Sequence, residues 1–313
     1  LGQYVWPNWY IAPTYQAELN WMNNWLMTRL AWIDSQMGEP PVFMDYELAY
    51  FWLFNNTLPN DTPLEQIEAK FPPSGNGLIS FHSALQGYPF YPGHPYWRKA
   101  SMERRNAPTE INYRPEGNNG IAFEQVNMRG IQVRQPFIGN GGENYLVFNM
   151  SSIGYENLLF SFAAKDENAA DYLLAEYSVQ SGEPQWITTG LQQDTLPLSS
   201  DYQLYEIDFA GISEADNNAH FKVRIRFGGS NMGANNGDRV TFNNFSLEGE
   251  ALDLMLGDAN CDLTVNVMDV ITTVSYVQGT DPQPFCYDNA DVNFDGIINI
   301  IDAVNIVNII YEK

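Results

Sequence analysis

Histidine is nearly missing from this chain and cysteine scarcer still, three His and two Cys in 313 residues. His82, His94 and His220 show neither His-x-x-x-His nor Glu-x-x-His spacing, so no metal enzyme built on paired imidazoles is encoded. Nucleophile-elbow and Walker-type phosphate-loop sequences are absent too. Bases are few: 15 Lys and Arg stand against 38 Asp and Glu, a net charge of −23. That balance excludes nucleic acid and anionic membrane surfaces as partners. No apolar run approaches the length that spans a bilayer. The first residues carry no leader signature, and a start at Leu1 rather than Met reads as a processed or truncated piece of something longer. Carboxylates are plentiful enough for a glycosidase pair, yet nothing singles out two of them, so no catalytic residue is assigned.

What the chain does have is apolar substance, 44 % hydrophobic and 14 % aromatic residues, which suits packed cores rather than disorder. Its most specific feature lies near the end. Asp258, Asn260, Asp262, Thr264, Asn266 and Asp269 fall at positions 1, 3, 5, 7, 9 and 12 of a loop, and Asp291, Asn293, Asp295, Ile297, Asn299 and Asp302 repeat the spacing. Calcium takes about six to eight oxygen ligands at roughly 2.3–2.6 Å, and this spacing turns alternate side chains, with the position-7 carbonyl, towards one point. Two calcium ions are therefore expected. Gly296 stands at position 6 of loop two, where the turn needs positive φ, whereas loop one has Leu263 there and is expected to be strained and weaker. An apolar-periodic helix is expected after each loop, over 270–278 and 303–311, with no clear helix entering either. Cys261 and Cys286 both lie in this region, either as a disulfide or as two buried thiols.

Upstream the pattern is extended. Stretches 48–54, 77–82, 120–136, 144–150, 157–164, 172–179, 202–209, 220–227 and 239–247 are rich in aromatic and β-branched residues and separated by Gly, Asn, Asp and Ser. Alternation in Lys222 to Phe227 directs apolar residues inward and charges outward. About nine such stretches without intervening helices predict one antiparallel jelly-roll β-sandwich. The N-terminal part differs: Thr14 can cap a helix reaching about Met37, with Gly38 beyond its end. Leu19, Met22, Leu26, Leu30 and Ile33 hold helical spacing on it, Trp21, Trp25 and Trp32 form a second apolar stripe, and Tyr4, Trp6, Trp9 and Tyr10 precede it. The expected organisation is a helical segment at 1–44, a sandwich at 45–250 and a calcium-loop domain at 251–313. The fold class is mainly β, a jelly-roll sandwich followed by a small α-helical domain.

Exposed aromatics suit the apolar faces of sugars, and Tyr91, Trp97 and Trp186 are the candidate glycan contacts, the alternative being that such rings plug the ends of the sandwich. Trp97-Arg98-Lys99 with Arg104-Arg105 gathers four of the few bases; it reads either as a contact for an anionic glycan or as internal salt bridging. The loop Gly229 to Asp238 lines a ligand site or turns a hairpin.

Several phrases resemble known families. The duplicated loop-plus-helix unit over 257–312 resembles a dockerin domain, which implies calcium binding and docking to a cohesin-like or other surface protein. The residues that read the partner in that family correspond to Val267, Met268, Ile300 and Ile301, apolar here where many dockerins are polar; they serve a partner or pack on the neighbouring domain. Met102 to Tyr113, Phe162 to Asp171 and Arg239 to Ser246 are similar to lectin-like jelly-roll modules of large Bacteroidetes surface proteins exported by the type IX route. That resemblance implies a secreted, non-catalytic surface module for adhesion, glycan binding or docking, with a sorting domain removed after Lys313 and a possible third calcium in the sandwich. Trp21 to Asp34 resembles the last helix of spore-coat-protein-H-like kinases, which would make the chain the C-terminal part of a larger kinase-like or carbohydrate-active enzyme. A third reading is a structural subunit of an extracellular assembly. No signal sets the oligomeric state.

Overall fold

The computed structural model describes residues 13–37, 46–73, 77–252 and 254–312. Two compact units divide the chain, Leu1–Met44 and Asp45–Lys313. In the first, α1 (Tyr15–Met37) starts where Thr14 Oγ1 accepts the Ala17 N–H at 3.1 Å, the capping contact expected of that Thr. Met22, Trp25, Leu26, Met27 and Trp32 are exposed on it, and the Arg29 guanidinium lies 5.7 Å from the Trp32 ring centre. Tyr4, Trp6, Trp9, Tyr10, Gly38 and the side chains of Leu30 and Ile33 lie outside the described residues.

The second unit is mainly antiparallel β. Its strands are β1 (Tyr46–Trp52), β2 (Gln66–Glu68), β3 (Leu78–His82), β4 (Met102–Arg105), β5 (Gly130–Arg134), β6 (Ile138–Gly139), β7 (Gly142–Glu143), β8 (Tyr145–Asn149), β9 (Tyr155–Glu167), β10 (Tyr172–Ser178), β11 (Thr195–Pro197), β12 (Gln203–Asp208), β13 (Lys222–Gly228) and β14 (Arg239–Ala251). One sheet runs β12-β9-β14-β5-β4, with β1 also pairing with β14; the other runs β11-β10-β13-β8-β3-β2. The long β14 carries β5 beside its first half, through Arg239 to Phe242, and β1 beside its second, through Phe245 to Glu250. Asn244, in left-handed backbone at φ 50°, marks the irregularity between these halves. Short Asn and Asp side chains tolerate that conformation better than bulky ones.

Sheets pack face to face because alternate residues of each are apolar. Val223, Ile225 and Phe227 of β13 are buried while Lys222, Arg224 and Arg226 face outward, as their alternation implied. Phe148 of β8 meets Phe160 of β9 edge-on at 4.8 Å between ring centres, and Trp52 and Phe245 close on the same cluster. Burying each such ring stabilises by roughly 1.5–3 kcal/mol before entropy is charged against it.

The strands depart from the sequence reading in two ways. Of 120–136, only Gly130–Arg134 is strand. A 3-10 turn at Glu116–Asn118 is followed by left-handed Asn119 and Gly120, and Met128 N–H bonds back to the Glu124 carbonyl at 3.1 Å, so the chain turns before it can pair. Conversely, β4, β2 and β11 join the sheets from segments whose polar composition hid them. Buried Glu103 on β4 is tolerated because Arg98 Nε and Ser101 Oγ both donate to it, at 2.8 and 2.7 Å.

Beyond β14 come α2 (Val267–Val277), the single turn α3 (Tyr287–Ala290) and α4 (Ile300–Glu312). Both long helices start earlier than their apolar periodicity suggests, inside the loops themselves. Asn266 Oδ1 accepts Met268 N–H and Asn299 Oδ1 accepts Ile301 N–H, each at 2.8 Å, so position 9 of each loop caps its helix. Nor is loop two without an entering turn: Ala290 and Asp291 donate to Cys286 and Tyr287 carbonyls and form α3. A small core of Ala259, Val265, Ala290, Ile298 and Ile306 joins the helices, with Tyr276 stacked on Phe285 at 4.4 Å.

Candidate functional site

The two loops have the same hydrogen-bond plan. In loop one, Asp258 accepts Asp262 and Leu263 N–H groups at 3.0 and 2.9 Å, and Asp269 accepts those of Asn260 and Asn266 at 3.1 and 2.8 Å. In loop two, Asp291 accepts Asp295 and Gly296 at 3.2 and 2.8 Å, and Asp302 accepts Asn293 and Asn299 at 3.3 and 2.9 Å. Asp262 and Asp295 take the N–H groups of Thr264 and Ile297, both at 2.9 Å. The position-6 residues sit in left-handed backbone, Leu263 at φ 64° and Gly296 at φ 77°, as the turn requires.

Burial makes this plan costly without a counter-charge. Asp258, Asp269, Asp291 and Asp302 are all buried, yet no Lys, Arg or His occurs from residue 251 to 312. Burial pushes the Asp291 carboxyl above its ordinary value; the Gly296 and Asp295 N–H groups oppose this, and the charges of Asp302 and Asp295 reinforce it. Among the described residues no three His, Cys, Asp or Glu side chains form a metal-holding cluster by themselves. A cation here would also need the Asn260 or Asn293 side chain and the Thr264 or Ile297 carbonyl. The donors are all oxygens, several of them charged, which fits a hard cation of calcium's kind. Asn266 and Asn299 fit less directly. Each already uses its carbonyl as a helix cap and its amide to donate to the position-7 carbonyl, at 3.0 and 3.1 Å. They would therefore meet a cation through water.

Cys261 and Cys286 are bonded, with Cα atoms 5.6 Å apart, and join loop one to the segment between the repeats. Gly257 N–H donates to Asn289 and Cys286 N–H to Ala259, tying each repeat to the other. Loop two meets the sandwich across a cavity of about 110 Å³ lined by Asn217, Asn218 and His220 on one side and Asp291, Phe294 and Asp295 on the other. Val267, Met268, Ile300 and Ile301 are each more than half exposed.

Tyr91, Trp97 and Trp186 do not form one platform. Tyr91 is exposed beside His94, with ring centres 5.5 Å apart, next to the Phe90 stack. Trp97 lies half-buried in the turn ending at Ala100. Trp186 is half-buried under Arg224, whose guanidinium is 4.5 Å from its ring centre and which also covers Tyr145 at 5.5 Å. Tyr145 in turn stacks on His82 at 4.4 Å. This band of Trp186, Arg224, Tyr145 and His82 crosses the outer face of β13, β8 and β3, and the sequence reading missed all but Trp186. Strand alternation carried the signal, since it turns Arg224 and Tyr145 outward together. Of the basic knot, Arg98 pairs with Asp61 and Glu103, Arg105 with Glu167, and Arg104 donates to the Leu58 carbonyl at 2.9 Å.

No protein-family model and no curated protein matches the chain. Solved structures do. A family 29 carbohydrate binding module from Piromyces equi is 10 % identical over 67 % of this chain and 93 % of its own, with TM-score 0.32. A cleaved adhesin domain of Lys-gingipain from Porphyromonas gingivalis is 14 % identical over 56 % and 98 %, with TM-score 0.26. The enzymatically active domain of tailspike protein 4 from bacteriophage CBA120 is 10 % identical over 55 % of this chain, which spans 19 % of that chain, with TM-score 0.30.

Proposed function

We propose that this chain is a non-catalytic, glycan-binding module of a secreted surface protein, with a dockerin-like C-terminal unit clamped by two calcium ions. The observation that carries the calcium part is the set of four buried Asp carboxylates, arranged identically in two loops with no basic side chain in the whole segment. Each loop residue then has a role. Asp258, Asn260, Asp262 and Asp269, with the Thr264 carbonyl, would hold the first ion; Asp291, Asn293, Asp295 and Asp302, with the Ile297 carbonyl, would hold the second. Calcium would supply the missing positive charge and fix the start of α2 and α4, so folding of the unit and ion binding would be one event. Sugar binding is supported by the aromatic band on the outer sheet face, where flat rings bury a sugar's apolar face at little entropic cost. Disulfide bonding of Cys261 and Cys286 suits an oxidising, extracellular setting.

A second reading, docking or assembly through the C-terminal unit, is favoured by the exposure of Val267, Met268, Ile300 and Ile301 at equivalent places in the two repeats. Calorimetric titration of calcium into chelator-stripped protein tests the main proposal. Two sites are expected, the tighter in loop two, and Asp302→Asn should remove only one of them. Heat indistinguishable from dilution would sink it.

A further inference from the structure

Among the described residues, Arg134 is the one guanidinium of the sandwich left without a partner. It ends β5 half-buried and, among the described residues, makes neither an ion pair nor a side-chain hydrogen bond. In the β5–β14 register its direct neighbour is Arg239, and like charges placed opposite each other across a ladder repel. Arg239 satisfies itself elsewhere, on Glu167 at 3.5 Å and on the Gln132 carbonyl oxygen Oε1 at 3.0 Å. The acid whose charge reaches it, Glu103, is already engaged by Arg98 and Ser101. Burial depresses Arg134's pKa, and Arg239, Arg98 and Arg105 add to this against the pull of Glu103. In a chain carrying 38 acids, a half-buried Arg without a carboxylate partner is unusual, and its desolvated charge favours the approach of an anion.

The space for one is present. A cavity of about 410 Å³ opens at Arg134, bounded by Trp97, Arg98 and Lys99 from one loop and by Asn235 and Asn236 from another. That volume lies within the roughly 300–1,000 Å³ typical of small-molecule sites. None of its lining residues is acidic. Its walls are held in place: Arg98 and Ala100 adopt left-handed backbone at φ 58° and 44°, while Asn236 N–H donates to Gln135 Oε1 at 3.1 Å. Arg98 is fixed from behind by Asp61 and Glu103. Lys99, like Arg134, has no ion pair among the described residues.

We propose that this pocket binds the carboxylate of a uronic-acid residue within an acidic polysaccharide. Arg134 and Lys99 take the carboxylate, Asn235 and Asn236 take ring hydroxyls, and the Trp97 ring takes the apolar face of the sugar. A planar guanidinium fork matches a carboxylate in two parallel hydrogen bonds, which makes Arg the selecting group. The proposal rests on the reading of the sandwich as a glycan binder and names the class of glycan.

Calorimetry on the full chain, in calcium, tests it with glucuronate- and galacturonate-containing hexasaccharides, their carboxyl-reduced counterparts and inorganic sulfate. A uronate hexasaccharide should bind at least tenfold more tightly than its reduced form, and the preference should shrink as salt screens the charge. Arg134→Gln and Lys99→Gln should each lower uronate affinity by about tenfold or more, the loss expected for one charged hydrogen-bonding partner. Arg134→Gln should melt no lower than wild type, because it also removes the repulsion with Arg239. Equal binding of charged and reduced sugars, unchanged affinity in both variants, or sulfate binding as tight as the sugar would overturn the proposal. If uronate sugars bind wild type, Arg134→Gln and Lys99→Gln alike, the site is wrong and glycan binding stands; if no sugar binds, both fall.

Discussion

Leu263 and Gly296 occupy the sixth position of two equivalent loops and share one left-handed backbone, at φ 64° and 77°. Glycine adopts that conformation freely; a leucine there costs roughly 1–2 kcal/mol. Leu263 is 75 % exposed, so little packing offsets the strain.

Leu263→Gly should therefore tighten the first calcium site by about 1 kcal/mol, close to fivefold. Gly296→Ala should weaken the second by a similar amount, since nothing lies within 4 Å of an added Cβ and backbone strain acts alone. Calorimetric titration of both variants reads the two effects separately. Equal affinities across wild type and Leu263→Gly would remove the strain argument.

The Cys261–Cys286 bond closes a loop with a sequence separation of 25 residues. Constraining an unfolded chain of that size contributes about 3 kcal/mol. Replacing both cysteines by Ser should lower the guanidinium midpoint of the C-terminal unit by a corresponding amount and leave the sandwich transition where it was. A single shifted transition would mean that the two parts unfold together.

Two tyrosines should limit stability in alkali. Burial raises Tyr88 and Tyr202 well above the ordinary phenol value of about 10. Tyr88 donates to the Leu64 carbonyl at 2.7 Å, and Tyr202 donates to Ala107 while accepting from Asn243 at 2.8 Å. A raised folded-state value means the stability is fully present below pH about 10 and is lost as pH climbs past it, because the unfolded chain sheds these protons first. Phenolate absorbance should thus leave both groups protonated until the fold gives way. Tyr202→Phe should cost about 1 kcal/mol at neutral pH and move the alkaline midpoint upward.

Much of this molecule is legible locally. The matching backbone plan of the two loops is readable because a twelve-residue repeat of polar side chains is a short-range pattern, and β13 because Lys222 to Phe227 alternates without interruption. Helix starts are not legible from apolar periodicity, which reports packing, whereas Asn266 and Asn299 set the starts by capping. β4 is hidden by the charges of Glu103, Arg104 and Arg105: Arg98 and Ser101 in the preceding turn satisfy Glu103, while Arg104 and Arg105 find Leu58 and Glu167, both distant in sequence. Two walls of the Arg134 pocket, the Trp97–Lys99 knot and the Gly229–Asp238 loop, are visible in the sequence as separate candidates, but their meeting is not: Lys99, Arg134 and Asn236 come from three segments, and only strand register brings Arg134 opposite Arg239.

If calcium supplies the positive charge that the C-terminal carboxylates lack, differential scanning calorimetry with calcium or with excess chelator will show it. Two transitions are expected in chelator, a low one for residues beyond about 251 and an unchanged one for the sandwich. The first should rise steeply with calcium and do so less in Asp269→Asn and Asp302→Asn. A thermogram identical with and without calcium would contradict it.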